Sequence, residues 1–410
     1  MVFSGADRSG ILHTSKSSGR PAALAAGERT GRARPAVTPD PATGVAGLLA
    51  SAERCLTVQR PGVPCRACAE VCPTDALAPA ERSLAILLDR CLRCGRCAAA
   101  CPTEALAVEG FPEIAATATR IECGRVPPEL RAPGTAVVPC LGGVRAGALR
   151  AHLARAEAAV ATLVDRGWCA DCPAGGTAEP WAAVVGRLDR ELEELGSARR
   201  VEVAREPLPP ALAGPPPAPP RTLDATVGRR AFLRGAAEVV ERVGSRRIAV
   251  RGEGPPQRVE TTALRERAAS LAALAGGDGL PAALFPVLAI AETCRDSRLC
   301  AASCPTGALE LELDEETSVL VFEPVLCIGC RRCLEVCPTG SPSLSPAGEE
   351  GRVERRVLRR RATARCGECG AVYGPRSSSG RCPACEKDEE LARRVHRWLR
   401  ERDSSGLFEG

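Results

Sequence analysis

The sequence predicts an α+β protein of several small domains, with cysteine-rich repeats in two distant regions and an α/β segment between them. The chain has 410 residues, which suggests two to four domains. Most of its 23 cysteines stand in short C-x2-C or C-x3-C-P spacings, which indicate metal sites rather than disulfides in a long chain without a secretory signal. Aromatic residues are only 2% of the sequence, so large aromatic-lined ligand pockets are not expected.

The clearest motif is C-x2-C-x2-C-x3-C-P, which occurs at 91–102 and again at 327–338. In this spacing one loop offers three thiolates to one iron–sulfur cluster, and the cysteine before the proline reaches a neighbouring cluster. Four soft thiolates favour iron–sulfur, with zinc as the only serious rival. A variant of the motif lies upstream of each copy, so the chain contains a duplicated unit.

Both units resemble the bacterial two-cluster ferredoxins, over roughly 53–110 and 287–346. In the first unit Cys55 replaces the missing first cysteine of the upstream motif across a longer loop, 56–64. The resemblance implies two [4Fe–4S] clusters in this unit. One takes Cys55, Cys65, Cys68 and Cys101, and the other takes Cys72, Cys91, Cys94 and Cys97. Alternating residues around a turn predict a short hairpin between the motifs of each unit.

In the second unit Ser297 stands where the second cysteine belongs, the place that Cys65 takes in the first unit. In ferredoxins, loss of this cysteine often leaves a [3Fe–4S] cluster, because one corner iron has no thiolate. Ser297 or Asp296 could instead supply an oxygen ligand, or the site could be empty. The implied ligands are Cys294, Cys300 and Cys337 for the altered site, and Cys304, Cys327, Cys330 and Cys333 for an ordinary [4Fe–4S] cluster.

Between the units, strand-like runs at 136–139 and 159–164 alternate with helical stretches at 146–158 and 181–195, which predicts a small α/β domain. Four cysteines fall at its strand ends: Cys123, Cys140, Cys169 and Cys172. Their order resembles the delta subunit of methyl-viologen-reducing hydrogenases, a family that carries a [2Fe–2S] cluster and passes electrons between partners. Only Cys123 stands where that family has a pair of cysteines. An iron–sulfur site, a zinc site and uncoordinated thiols all remain open.

Near the end of the chain, two C-x2-C pairs are separated by a short Gly- and Ser-rich arm. The spacing is that of a zinc ribbon, with Cys366, Cys369, Cys382 and Cys385 as ligands. Rubredoxin-like iron and the absence of any metal are the alternatives. The arm has one aromatic residue, Tyr373, and few basic residues, so a docking or structural role is favoured over nucleic-acid binding.

The predicted organisation has eight parts. They are a disordered tail at 1–47, ferredoxin module 1 at 48–115, the α/β domain at 116–206, a Pro-rich linker at 207–228, a helical segment at 229–280, ferredoxin module 2 at 281–346, the zinc ribbon at 347–390, and a closing helix and tail at 391–410. Residues 228–234 resemble a twin-arginine export signal, but they lead into a charged segment, which favours an ordinary helix start. No apolar run approaches the roughly 18 residues that span a membrane, so a cytoplasmic protein is expected.

Several functional classes lack their motifs. The sequence has no haem motif, no dinucleotide fingerprint, no phosphate-binding loop and no catalytic constellation. The formal charge of +5 gives little support to nucleic-acid binding, because each four-thiolate site with its metal carries about −2. We therefore expect a polyferredoxin, a non-catalytic electron-transfer subunit of an oxidoreductase complex, with reductase, dehydrogenase or hydrogenase subunits as partners.

Two other functions stay open. The first alternative is an accessory protein that matures a redox enzyme, similar to the accessory ferredoxin of nitrate reductase systems, with Arg229–Arg230 as the only hint. A regulator of transcription is a third hypothesis, and it would require sequence-specific nucleic-acid binding.

Overall fold

The computed structural model describes residues 47–215 and 247–403, apart from 61, 63, 64, 253, 256, 277, 278, 295, 349, 350 and 375–378. All but the last residue of the predicted tail at 1–47 lies outside these residues. So do 216–228 of the predicted linker, 229–246 of the predicted helical segment with its twin-arginine-like start, and the last residues of the predicted closing tail, 404–410. All described residues belong to one compact unit, 40–410. Within the described ranges, no helix has the length and apolar character that crossing a membrane requires.

Module 1 consists of two antiparallel strand pairs with short helices after the cysteines. Its elements are β1 (Leu48–Ala50), α1 (Leu56–Gln59), α2 (Ala67–Glu70), β2 (Leu77–Ala80), β3 (Ser83–Leu87), α3 (Arg96–Ala100) and β4 (Leu106–Val108). Strand β1 pairs with β4, and β2 forms the predicted hairpin with β3. Leu84 and Ile86 of β3 are buried with Leu48 and Leu106, so a small apolar core lies between the pairs.

The middle domain is an α/β unit, as its sequence predicts. Its elements are β5 (Arg120–Cys123), β6 (Ala136–Val138), α4 (Ala146–Arg155), β7 (Val160–Asp165), α5 (Ala182–Glu194) and β8 (Arg200–Arg205). All strand pairs are parallel, in the order β6-β5-β7-β8. Leu149 and Leu153 of α4 and Leu188 of α5 pack against Ile121 and Leu163 of the sheet. Because the strands are parallel, their carboxyl ends meet at one edge.

Module 2 repeats the arrangement of module 1. The chain continues through β9 (Arg247–Arg251), α6 (Thr262–Leu274), β10 (Val287–Ile290), α7 (Leu299–Ser303), β11 (Leu309–Leu313), β12 (Thr317–Phe322), α8 (Arg332–Glu335), β13 (Pro342–Ser345) and β14 (Arg356–Ala362). Strand β10 pairs with β13, and β11 forms a hairpin with β12. Leu309, Leu320 and Phe322 are buried in its core, and Leu264 of α6 packs there too.

Each hairpin gains a third strand that sequence spacing does not predict. Strand β9 pairs with β3 of module 1, although the sequence predicts helical structure throughout 229–280. Burial alternates along it, because Ala249 is exposed between the more buried Ile248 and Val250, and Val250 lies opposite Leu84, which is the pattern of a strand. Strand β14 pairs with β12 of module 2, so this part of the predicted zinc-ribbon segment belongs to the ferredoxin sheet.

The chain closes with a small hairpin and a long helix. They are β15 (Ala364–Arg365), β16 (Val372–Tyr373) and α9 (Pro383–Asp403). The sequence predicts the closing helix from 391, whereas it begins at Pro383, so Cys385 lies in its first turn. Proline suits this start because its missing N–H has no partner in a first turn.

Candidate iron–sulfur and zinc centres

The loops of the two full cysteine motifs bend through left-handed backbone conformations. Gly95 and Gly329 have φ values of +76° and +68°, and Arg93 and Arg331 have φ values of +52° and +60°. Glycine adopts this conformation without the steric cost that other residues meet. The bends keep each loop tight, so that its thiols can approach one another.

Hydrogen-bond donors surround the cysteine that precedes each proline. Ala76 N–H donates to Cys72 Sγ at 3.2 Å, and Ala105 N–H donates to Cys101 Sγ at 3.2 Å. Two residues after each cysteine that precedes a proline, a threonine Oγ1 lies 3.5 to 3.8 Å from the sulfur; these cysteines are Cys72, Cys101, Cys304 and Cys337. The backbone N–H donors stabilise the thiolate, which is the form that binds metal.

Three cavities divide most of the ferredoxin cysteines into separate sets. The first is lined by Cys72, Cys91, Cys94 and Cys97, the second by Cys304, Cys327, Cys330 and Cys333, and the third by Cys294, Cys300 and Cys337. Each cavity contains the cysteines of one set that the ferredoxin resemblance implies. Every set therefore offers three or four thiols to one enclosed space, which suits a polynuclear cluster.

The fourth set lies at the amino-terminal motif. Burial raises the pKa of Cys55 to about 11 and that of Cys68 to about 12, and the nearby Cys101 acts in the same direction on both. Burial also raises the pKa of Cys65, and Cys101 again contributes. These four thiols are thus close enough to interact. A metal must displace their protons, so binding releases protons and depends on pH.

The third cavity also contains the two oxygen-bearing side chains that the altered motif supplies. Asp296 and Ser297 line it beside the three cysteines. Asp296 is buried, and its Oδ2 accepts a hydrogen bond from Ser318 Oγ at 3.0 Å. Desolvation opposes ionisation of Cys337, yet hydrogen bonds from Thr339 and its neighbours lower the pKa of this thiol below its ordinary value. Three thiols with two oxygen-bearing side chains fit an iron–sulfur cluster in which one corner lacks a thiolate ligand.

The middle-domain cysteines meet at the carboxyl edge of the parallel sheet. Cys123 ends β5, Cys140 follows β6, and the pair Cys169 and Cys172 follows β7. Burial raises the pKa of Cys140 to about 12, and nearby thiols, Cys123 first among them, act in the same direction. Burial also raises the pKa of Cys169 to about 12, with Asp165, Cys123 and Cys172 contributing. The four thiols therefore form one group.

This group lies against a cluster loop of module 1. Cys94, Cys140 and Cys172 belong to one buried cluster. A Cβ atom at Gly143 would lie 2.2 Å from the carbonyl oxygen of Cys94, so the two loops are in backbone contact. Arg96 also donates a hydrogen bond to the carbonyl of Gly175. The sequence assigns the two groups to separate domains, and the structure makes them neighbours.

The carboxy-terminal cysteines form the most compact group. The sulfurs of Cys366, Cys369, Cys382 and Cys385 all lie within 4.8 Å of one another. Four thiolates around one zinc ion, each about 2.3 Å from the metal, have a similar spacing. Backbone N–H groups, including those of Cys369 and Cys382, lower the pKa of Cys366 to about 6. The arrangement fits one tetrahedral ion.

Sequence reasoning does not single out the residues that join the two modules. Arg60 donates hydrogen bonds into module 2, and Val259 is buried between the modules. The only available signal is the long loop 56–64, which departs from the ferredoxin spacing. Two described residues of this loop contact module 2: Arg60 at the carbonyl of Cys304, and Gly62 at the side chain of Arg332.

Comparison with known proteins supports the duplicated unit. A family described as a 4Fe-4S dicluster domain matches the chain twice, at 63–105 and at 293–341. No curated protein matches the chain. The matched ranges do not include the middle domain, so its resemblance to the hydrogenase delta subunit remains unsupported. The two matches, together with the grouped cysteines, confirm that the chain is an iron–sulfur, metal-binding protein with two ferredoxin-type dicluster modules.

Proposed function

We propose that the chain relays single electrons between a donor and a catalytic redox partner. The observation that supports this most directly is the separation of the module cysteines into sets, three of which each line a cavity of their own. Dicluster modules point to electron transfer. Several centres in one compact unit suit a relay, because each transfer step then covers only part of the distance.

The ligands of the proposed clusters are the sets that the cavities and the thiol interactions group together. Three sets hold [4Fe–4S] clusters, and each such cluster supplies one-electron chemistry when bound. The chain adds hydrogen bonds to sulfur, such as those from Ala76 and Ala105 N–H, and the positive charge of Arg93 and Arg96 near Cys91 and Cys94. Both effects stabilise the more negative, reduced state and so raise the reduction potential.

The altered site holds a [3Fe–4S] cluster, with an oxygen-ligated cluster as the alternative. Ser297 and Asp296 both line its cavity, so either side chain is near the corner that lacks a thiolate. Asp296 is already engaged by Ser318, which supports its role in shaping the cavity. Replacement of Ser297 by Cys restores the fourth thiolate and should convert the site to an ordinary cluster.

The middle-domain group extends the relay as a fifth iron–sulfur site, and its contact with the Cys94 loop supports this role over that of a remote zinc site. The carboxy-terminal group holds structural zinc, as its compact geometry suggests. We place the relay in the cytoplasm, with a reductase, dehydrogenase or hydrogenase subunit holding the substrate.

Metal analysis with EPR on anaerobically purified protein tests this proposal. The relay predicts about 15 to 18 irons per chain, one zinc, and a [3Fe–4S] signal as isolated that disappears in Ser297→Cys. Each cluster should also reduce and reoxidise reversibly. Fewer than about eight irons after reconstitution, with several zinc ions instead, would leave a zinc-bound scaffold as the better account. Labile clusters together with binding to an apo-enzyme would favour the accessory function.

A further inference from the structure

A small apolar contact joins the ligand loops of the two modules. Leu56 and Val259 are 4% and 3% exposed, and they pack with Ile328 and with the cysteines Cys65 and Cys330. Leu56 follows Cys55 directly, and Ile328 follows Cys327 directly. We call these three apolar residues the seam. The seam thus lies between two cysteine sets of different modules.

The segment that carries Val259 is bonded to both modules. Val259 N–H donates to the carbonyl of Pro305 in module 2 at 2.8 Å. The next residue, Glu260, donates its N–H to the carbonyl of Glu53 in module 1 at 3.4 Å and pairs with Arg54. Consecutive residues therefore attach to opposite sides. Such a bridge holds the two loops at a fixed separation.

Arg60 makes a second connection from module 1. Its guanidinium donates to the carbonyls of Ala302 and Cys304 in module 2, at 3.3 and 3.4 Å. Burial, and then Arg258, lower the pKa of Arg60, whereas the Cys304 thiolate favours its charge. A Cβ atom at Gly62 would lie 3.0 Å from Arg332 Nη2, so the same loop also touches module 2 beyond Arg60. The extra length of the loop 56–64 therefore makes an inter-module contact.

We propose that the seam is the junction through which an electron passes between the two modules, and that Arg60 is a positioning residue for it. This inference rests on the proposed relay. Cys55, Cys65, Cys68 and Cys101 would hold the group that gives up one electron. Cys304, Cys327, Cys330 and Cys333 would hold the group that accepts it. No bond and no proton moves. A reduced one-electron donor, such as a flavin or viologen radical, supplies the electron that enters.

Neighbouring cysteines of different sets give the order of the remaining sites along the relay. Within module 1, Cys68 packs in one cluster with Cys97 of the other set, and within module 2, Cys300 packs in one cluster with Cys333. Cys140 of the middle domain lies near Cys94. The sites therefore form one series of neighbours, with the middle-domain group at one end, the seam near the centre and the Ser297 site at the other end.

The first test replaces Arg60 by Gln in the full-length, reconstituted chain, with Arg200→Gln as the matched control. Arg200 loses the same charge on the edge strand β8, where its side chain is 58% exposed. In a redox titration followed by EPR, the signal that is absent in Cys330→Ser belongs to module 2. Loss of the Arg60 charge should lower the reduction potential of that signal by about 59 mV for one electron, which is a tenfold change in the reduction equilibrium. The control should show no such shift. An unshifted module 2 signal in Arg60→Gln would mean that the contact does not form in solution.

The second test measures the rate of inter-module electron transfer after flash reduction. Val259→Ala opens a gap in the seam, and Val357→Ala makes the same deletion at a residue that is 56% exposed. We expect a severalfold slower rate only in Val259→Ala. If the electron-transfer rate of Val259→Ala is unchanged while the potential shifts in Arg60→Gln, the seam is only a structural contact and not the electron path. If the wild-type clusters do not reduce and reoxidise reversibly, the proposed relay itself is wrong. If they do, but Arg60→Gln and Val259→Ala both behave like the wild type, only the proposed role of the seam is wrong.

Discussion

Replacement of Glu191 by Gln should destabilise the middle domain strongly. The Glu191 carboxylate accepts hydrogen bonds from Arg150 Nη1 at 2.7 Å and from Arg267 Nη2 at 2.9 Å, which joins α4 and α5 to α6. The side chains of Glu191 and Arg150 are only 5% and 6% exposed. Burial lowers the pKa of Arg150, with Glu191 as the main opposing influence, so the guanidinium depends on this partner. Removing one partner of a buried pair costs about 3–5 kcal/mol.

Tryptophan fluorescence can follow this loss in the middle domain alone. The chain has three tryptophans, and in a Trp398→Phe background the signal comes from Trp168 and Trp181, which are both buried. With a urea dependence of about 1–3 kcal/mol per molar, the unfolding midpoint of Glu191→Gln should fall by at least about 1 M.

The matched control for this experiment is Glu202→Gln. Glu202 pairs with Arg200 at the surface, where the side chains are 51% and 58% exposed, so its loss should cost less than about 1 kcal/mol. If the two variants unfold at the same urea concentration, the reasoning from burial is refuted.

Three further variants test the middle domain with the same fluorescence signal. In Gly143→Ala the added methyl meets the carbonyl of Cys94, so we expect a loss of about 1–3 kcal/mol, whereas Gly186→Ala on α5 has room for the methyl and should gain up to about 1 kcal/mol. The hydrogen bond from Arg120 lowers the pKa of Glu206, so its stabilisation is complete above the usual carboxyl pKa and disappears as the pH falls through the lowered value. The midpoint of Glu206→Gln should therefore depend less on pH between about 6 and 3 than that of the wild type, and an equal dependence would contradict this role.

The two dicluster modules could be predicted because their cysteines are close in sequence and repeat a known spacing. The hairpin β2–β3 and the strands β6 and β7 of the middle domain could also be predicted, since alternating residues and short turns are local signals. These features need no knowledge of how the parts pack. The carboxy-terminal group belongs to the same class, because its two C-x2-C pairs are separated by only 12 residues.

The remaining features depend on residues that are distant in the sequence. Strand β9 pairs with β3 across the whole middle domain, and no local pattern names its partner. Its length of five residues also gives a weak strand signal beside a predicted helix. Arg60 and Val259 likewise have roles only because two modules meet there. Packing between distant segments, rather than local preference, decides all of these contacts.

The pairing of β9 with β3 has a consequence for biosynthesis. The ribosome completes the cysteine motifs of module 1, and then the entire middle domain, before it makes residues 247–251. Until then β3 has an open edge, and Leu84 lacks the cover of Val250. Val259 emerges eight residues after β9 and meets Ile328 only when module 2 has been made. The nascent chain thus carries every cysteine of module 1 well before the strand that covers its hairpin, so a chain truncated before residue 247 should leave the edge of β3 exposed.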